Sequence, residues 1–135
     1  MGRLYNEPAD LRALSPLTLA FVGDAVLSLF IREYLAVSAN RPAGVLHRMS
    51  VEYVRAPAQA DAAKKIAPFL SEEETGIFRR GRNAHTGHTP KNASTADYHS
   101  ATGLEALIGY LYLQNKTGRI RELMDIIYGD TQGKL

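Results

Sequence analysis

Two stretches of this chain, LAFVGDAVLSLF (residues 19–30) and ATGLEALIGYLYL (101–113), are long enough for helices, almost wholly apolar, and interrupted at the middle by a single carboxylate. A helix that is apolar on every side belongs inside a bundle, so these two segments are expected to form the core pair around which the rest packs. No segment alternates cleanly between apolar and polar residues with hairpin turns between, so the fold class is all-α. The two acids then become the main problem. An unpaired ionised carboxylate in a core costs several kcal/mol, so each must be neutral, paired with a base or bound to a cation. Asp24 lies between Gly23 and Ala25, small neighbours expected to leave room for a metal and phosphate, and Glu105 between Leu104 and Ala106. One turn either side of Asp24 are Ala20, Phe21, Leu27 and Ser28, none of them basic. If the two helices pack side by side, Asp24 and Glu105 face one cleft, where a hard divalent cation relieves the repulsion of two adjacent carboxylates. Structural acids, hydrogen-bonded or paired with arginines, are the other reading of the same pattern.

The remaining helices follow from local signals. Ser15 followed by Pro16 is a start signal for a helix reaching about Val37. Residues 45–55 place Val45, Leu46, Met49 and Val54 roughly on one face, and Pro57 ends or kinks that segment. Residues 58–67 are alanine-rich and helix-prone, closing at Pro68. Ser71 with Glu74 reads as a capping box for a helix to about Arg82. Asp97 is the expected cap of the second apolar helix. Thr117-Gly118 is expected to separate that helix from a last amphipathic one over 119–128, ended by Gly129. The 135 residues are read as a single domain, 1–135, with an aliphatic core, since there is no Trp and only four Phe. The lack of Cys excludes disulfides, thiol catalysis and thiolate metal sites. With no apolar run near the roughly 18 residues a bilayer span needs, and no signal-like start, a cytoplasmic protein without membrane contact is expected.

The net charge of +2 is concentrated. Residues 79–91, RRGRNAHTGHTPK, hold Arg79, Arg80, Arg82 and Lys91 and no acid, leaving 12 basic against 14 acidic residues elsewhere. Positive charge on a Gly- and Pro-containing segment attracts polyanions by counterion release, although a solvated charged face has the same composition. Residues 83–96 lack any apolar period and are read as a loop of a length usually tied to function. His85 and His88 within it make a poor zinc site without Cys, and phosphate contact or solvent exposure suits them better. Tyr98, Tyr110 and Tyr112 are read as packing residues, since duplex nucleic acid has no unstacked bases for them.

With these residues in view, LAFVGDAVL (19–27) resembles the signature helix of the ribonuclease III catalytic domain, and ATGLEALIGYLYL resembles its second acidic helix. The chain stops soon after the second motif and carries RRGRNAHTGHTPKN ahead of it, two features similar to the short, Mini-ribonuclease III branch of that family. The resemblance covers essentially the whole chain. It implies a homodimeric endonuclease-domain fold, with Phe21, Leu27 and Phe30 around Asp24 as interface candidates that core packing explains at least as well, and magnesium-dependent hydrolysis of double-stranded RNA to 5′-phosphate and 3′-hydroxyl ends. It also implies 23S ribosomal RNA precursor stems as the substrate, with a ribosomal protein as a further partner. Asp24 and Glu105 would be the catalytic, magnesium-holding residues, with Thr102 through water or substrate phosphates completing the shell. Arg79, Arg80, Arg82, His85, His88 and Lys91 would contact RNA. The larger family has a Glu where this chain has Ala20 and an Asp where it has Thr102, so only two of the usual four acids remain. A non-catalytic RNA-binding member of the same fold and an all-α protein-interaction module are the rival readings. Retention of both acids opposes the first, and the basic stretch opposes the second.

Overall fold

The computed structural model describes residues 2–84 and 94–132. Six helices carry the fold: α1 (Pro16–Ser38), α2 (Ala43–Val54), α3 (Ala56–Ile66), α4 (Glu72–Asn83), α5 (Thr95–Leu113) and α6 (Thr117–Gln132). Short 3-10 turns precede α1 and follow α3. No strand occurs among the described residues, as expected. No helix among them is long and apolar enough to cross a membrane.

Helix α5 is the axis of the core. Leu104, Ala106, Leu107 and Ile108 are completely buried, with Leu111 nearly so. Helices α1, α3 and α4 pack around it, and α6 closes the far side with Leu123, Met124 and Ile127. The α1–α5 crossing is unusually close because glycine faces backbone on both sides. A Cβ added to Gly23 would lie 1.7 Å from the Glu105 carbonyl oxygen, and one added to Gly109 would lie 1.9 Å from that of Leu19. The space at Gly23 is thus taken up by the backbone of α5, which corrects the expectation that Gly23 leaves room for metal and phosphate.

Helix α1 is also not the fully buried rod its composition implied. Leu19, Ala20, Gly23, Leu27, Ile31 and Leu35 face the core. On the opposite side Phe21 and Val37 are each 80% exposed and Leu29 is 58% exposed. Apolar residues cover both faces of this helix, so hydropathy could not tell which face is inward. Of the residues expected at an interface, Leu27 is core. Phe30 stacks with Tyr34 and Tyr128, and of the three only Phe21 stands in the open.

The helix ends follow local chemistry with three corrections. Ser15 Oγ accepts from Thr18 N, and Ser71 with Glu74 forms the expected reciprocal box. Ser94, not Asp97, caps α5, accepting from the Asp97 amide and leaving Asp97 as the favourable acid of the first turn. The α5–α6 break lies at Asn115, whose φ of 62° lets Lys116 N donate back to Leu111 O. Thr117 and Gly118 are the first turn of α6, which continues through Gly129 to Gln132.

One ion pair locks α4 to α6. Arg119 Nε and Nη2 donate to the two carboxylate oxygens of Glu74 at 2.9 Å, and Nη2 also donates to Phe69 O at 2.7 Å. Those bonds, with the guanidinium charge beside it, hold the Glu74 carboxyl below its ordinary value of 4.5 despite its burial. A depressed folded value means that the stability from this pair is full above about pH 4.5 and is lost as pH falls through the folded value. Arg119→Met is expected to lower stability by about 3 kcal/mol near neutral pH, because it strands a buried carboxylate. Urea melts should show that deficit shrinking in acid.

Candidate active site

Asp24 stands in the third turn of α1 and Glu105 in the middle of α5, on the two elements that pack most extensively against each other. The close crossing at Gly23 and Gly109 brings the two carboxyls together as the sequence predicts. Their surroundings differ. Asp24 is exposed, because it lies toward the open face of α1, whereas Glu105 is half-buried between α1, α3 and α5. The desolvation argument made for both acids therefore holds for Glu105 alone. Burial, then the hydrogen bond with Asp24 and its negative charge, push the Glu105 carboxyl up to about 8, while a hydrogen bond from Gln59 pulls it down. Among the described residues no Lys or Arg forms an ion pair with either acid.

No described cluster of three or more His, Asp or Glu has the arrangement of a metal cage. Asp24 and Glu105 are the residues that could hold a divalent cation, since a hard cation that keeps several waters needs only one or two carboxylates. Two like charges without a basic partner, one of them reluctant to ionise, are the donor set that a divalent cation stabilises. The acids lost relative to larger relatives have structural explanations here. Ala20 is buried in a cluster with Leu19, Ile77 and Ala106, where a carboxylate would be stranded. Thr102 is 6% exposed and its hydroxyl donates to Tyr98 O at 3.1 Å within its own helix.

Gln59, at the start of α3, was missed by sequence reasoning. Its side chain is buried, with Nε2 donating to Val54 O at 3.0 Å and lying 3.5 Å from Glu105 Oε2. The available signal was a lone amide amid alanines on the face that α3 turns inward. Beside Asp24, Leu4, Phe21, Val22, Val26, Leu29 and Tyr112 line an open apolar hollow of about 430 Å³. Arg79, Arg80 and Arg82 are exposed at the C-terminal end of α4, and Arg80 lines a second hollow with Arg12 and Tyr110. His85, His88 and Lys91 lie outside the described residues. Tyr110 and Tyr112 pack on the core as expected, the first donating to Glu73 and the second accepting from Leu4 N. Tyr98 is half-buried beside His99, away from the core clusters.

Comparison with known proteins decides the family. The model of the ribonuclease III domain matches residues 17–116, a span that includes both acidic helices. The chain belongs to the ribonuclease III family. A Mini-ribonuclease 3 of Thermoanaerobacter sp. (strain X514) is 48% identical over 84% of this chain and 80% of its own length. That of Brevibacillus brevis is 42% identical over 93% of both. An X-ray structure of a Fusobacterium nucleatum protein superposes with a TM-score of 0.84 at 34% identity, covering 93% of this chain and 96% of that one. The ribonuclease III-family chain described here is accordingly an endoribonuclease of the Mini-ribonuclease 3 branch.

Proposed function

We propose that this ribonuclease III-family chain is a magnesium-dependent, cytoplasmic endonuclease that cuts double-stranded RNA as a homodimer, with 23S ribosomal RNA precursor stems as its substrate. The observation that carries the reading is the isolated pair Asp24 and Glu105, joined across α1 and α5 and without a basic partner among the described residues. Asp24 and Glu105 would hold the magnesium ion, which when bound supplies a Lewis acid for a phosphate oxygen and a more acidic water. Asp24, exposed on α1, faces the approaching backbone and positions the attacking water. Glu105 must give up its proton before the site carries its full negative charge. Water oxygen adds to phosphorus and releases one proton to solvent, the P–O3′ bond breaks and the leaving oxygen takes up one proton from solvent, giving 5′-phosphate and 3′-hydroxyl ends.

A homodimer is supported by the apolar side chains Phe21, Ala25 and Leu29, which α1 exposes along one side. A two-fold dimer supplies two sites to a duplex whose own backbone has local two-fold symmetry. A-form RNA hides its bases in a deep groove, so recognition rests on phosphates and 2′-hydroxyls. Arg79, Arg80 and Arg82 are suited to that, with His85, His88 and Lys91 following in sequence. A ribosomal protein partner would present the stem in its folded form. The test is incubation with a perfect RNA duplex in magnesium and in chelator, followed by analysis of the ends. Cation-dependent cuts on both strands with 5′-phosphate products are expected. Tight duplex binding without any cut in magnesium would overturn the reading.

A further inference from the structure

We infer that Gln59 is a positioning residue for Glu105, its side-chain amide fixing one carboxylate oxygen so that the acid pair is ordered for a divalent cation. The inference rests on the reading of Asp24 and Glu105 as that cation's site. Gln59 is only 5% exposed, an unusual place for an amide at the start of an alanine-rich helix. Its orientation is decided by its neighbours. Nε2 faces two acceptors, the Val54 carbonyl at 3.0 Å and Glu105 Oε2 at 3.5 Å, so turning the amide over would set oxygen against oxygen at both. The Val54 bond anchors the side chain to the end of α2, and the rigid amide carries that anchorage to the carboxylate. The contact to Glu105 is long, as hydrogen bonds in unliganded catalytic sites often are, and it strengthens when the acceptor is ionised.

The other end of the amide supports the same role. Gln59 Oε1 is buried with no hydrogen-bond partner among the described residues, and planar amide geometry keeps it about 2.3 Å from Nε2. A buried amide kept only to cap Val54 O would be a poor choice, since it leaves a desolvated acceptor unpaired. The amide is instead explained by its second contact, since the same Nε2 that caps Val54 O also reaches Glu105 Oε2. Gln59 thereby orients the carboxylate without placing a third negative charge beside the pair.

The experiment compares the full-length protein with Gln59→Leu and Gln59→Glu by calorimetric titration with manganese in the absence of RNA, alongside thermal melts in chelator and duplex cleavage. Gln59→Leu fills the same volume and removes the orphaned oxygen. It should melt within a few degrees of the parent in chelator, bind manganese about 10-fold or more weakly, and cut with a kcat lowered about 10- to 100-fold. Gln59→Glu should restore manganese binding to at least the parental level while lowering the melting temperature in chelator. Parental manganese affinity and kcat in Gln59→Leu would overturn the inference and leave the function standing. No manganese binding and no cleavage by the parent itself would overturn both. Should Gln59→Leu fail to fold, Gln59→Glu decides alone: manganese affinity below the parental level refutes the positioning role.

Discussion

Glu105→Gln is expected to make the cation-free protein more stable at pH 8 while lowering RNA cleavage by about 10³-fold. Burial and the neighbouring Asp24 raise the Glu105 carboxyl from 4.5 to about 8 in the folded chain. The folded value lies above the unfolded one, so between those limits the native state holds a proton that the unfolded chain has released. The stability associated with that proton is full below about pH 4.5, declines as pH rises and is gone above about 8. In chelator the parent should therefore melt at progressively lower temperature from pH 5 to 8. The glutamine variant, which cannot ionise, should lose most of that slope. At pH 8 it should be the more stable protein, by on the order of 2 kcal/mol after allowance for solvent screening of a half-buried group. Cleavage moves the other way because the negative charge that destabilises the empty fold is what the cation requires. Thermal melts at the two pH values, with cleavage rates in magnesium, check both halves. A glutamine variant that is equally pH-sensitive, or that still cuts, would contradict the assignment.

Gly23→Ala should be the most damaging single change to the fold. Its Cβ would meet the Glu105 carbonyl at 1.7 Å, an overlap that no side-chain rotation relieves because the obstacle is backbone. Helices α1 and α5 must separate, opening the most extensive packing surface of the molecule and shifting both acids. A loss of about 3 kcal/mol or more is expected, a fall in Tm of roughly 10 °C or greater. Gly129→Ala is the matched control. It lies within α6 with nothing within 4 Å of an added Cβ, and should stabilise by about 0.5–1 kcal/mol through helix propensity. Circular-dichroism melts of the two variants separate steric need for glycine from mere tolerance of it.

Both acids stood out in the sequence as lone carboxylates in long apolar runs, but the energetic penalty behind that reading applies to half-buried Glu105 and not to Asp24, which α1 leaves exposed. The capping box at Ser71 and Glu74 was legible because it is local. Which face of α1 is buried was not, since Leu, Phe and Val occupy both sides and hydropathy has no direction there. The role of Gly23 was misread for a related reason: a glycine beside an acid looks like space for a ligand until the opposing helix is in place. Gln59 escaped because helix propensity says nothing about what a helix turns inward. Its part in the site depends on a contact across 46 positions in sequence.

The central claim, that Asp24 and Glu105 form one catalytic unit, is tested most directly by single-turnover cleavage of an RNA duplex in saturating magnesium. The comparison sets the parent against Asp24→Asn, Glu105→Gln and the double variant. If the two acids act together, each single variant falls by about 10³-fold or more and the double variant is little worse than the poorer single, since removing either member already disables the unit. A parental rate in either single variant, or losses that simply multiply in the double, would contradict it.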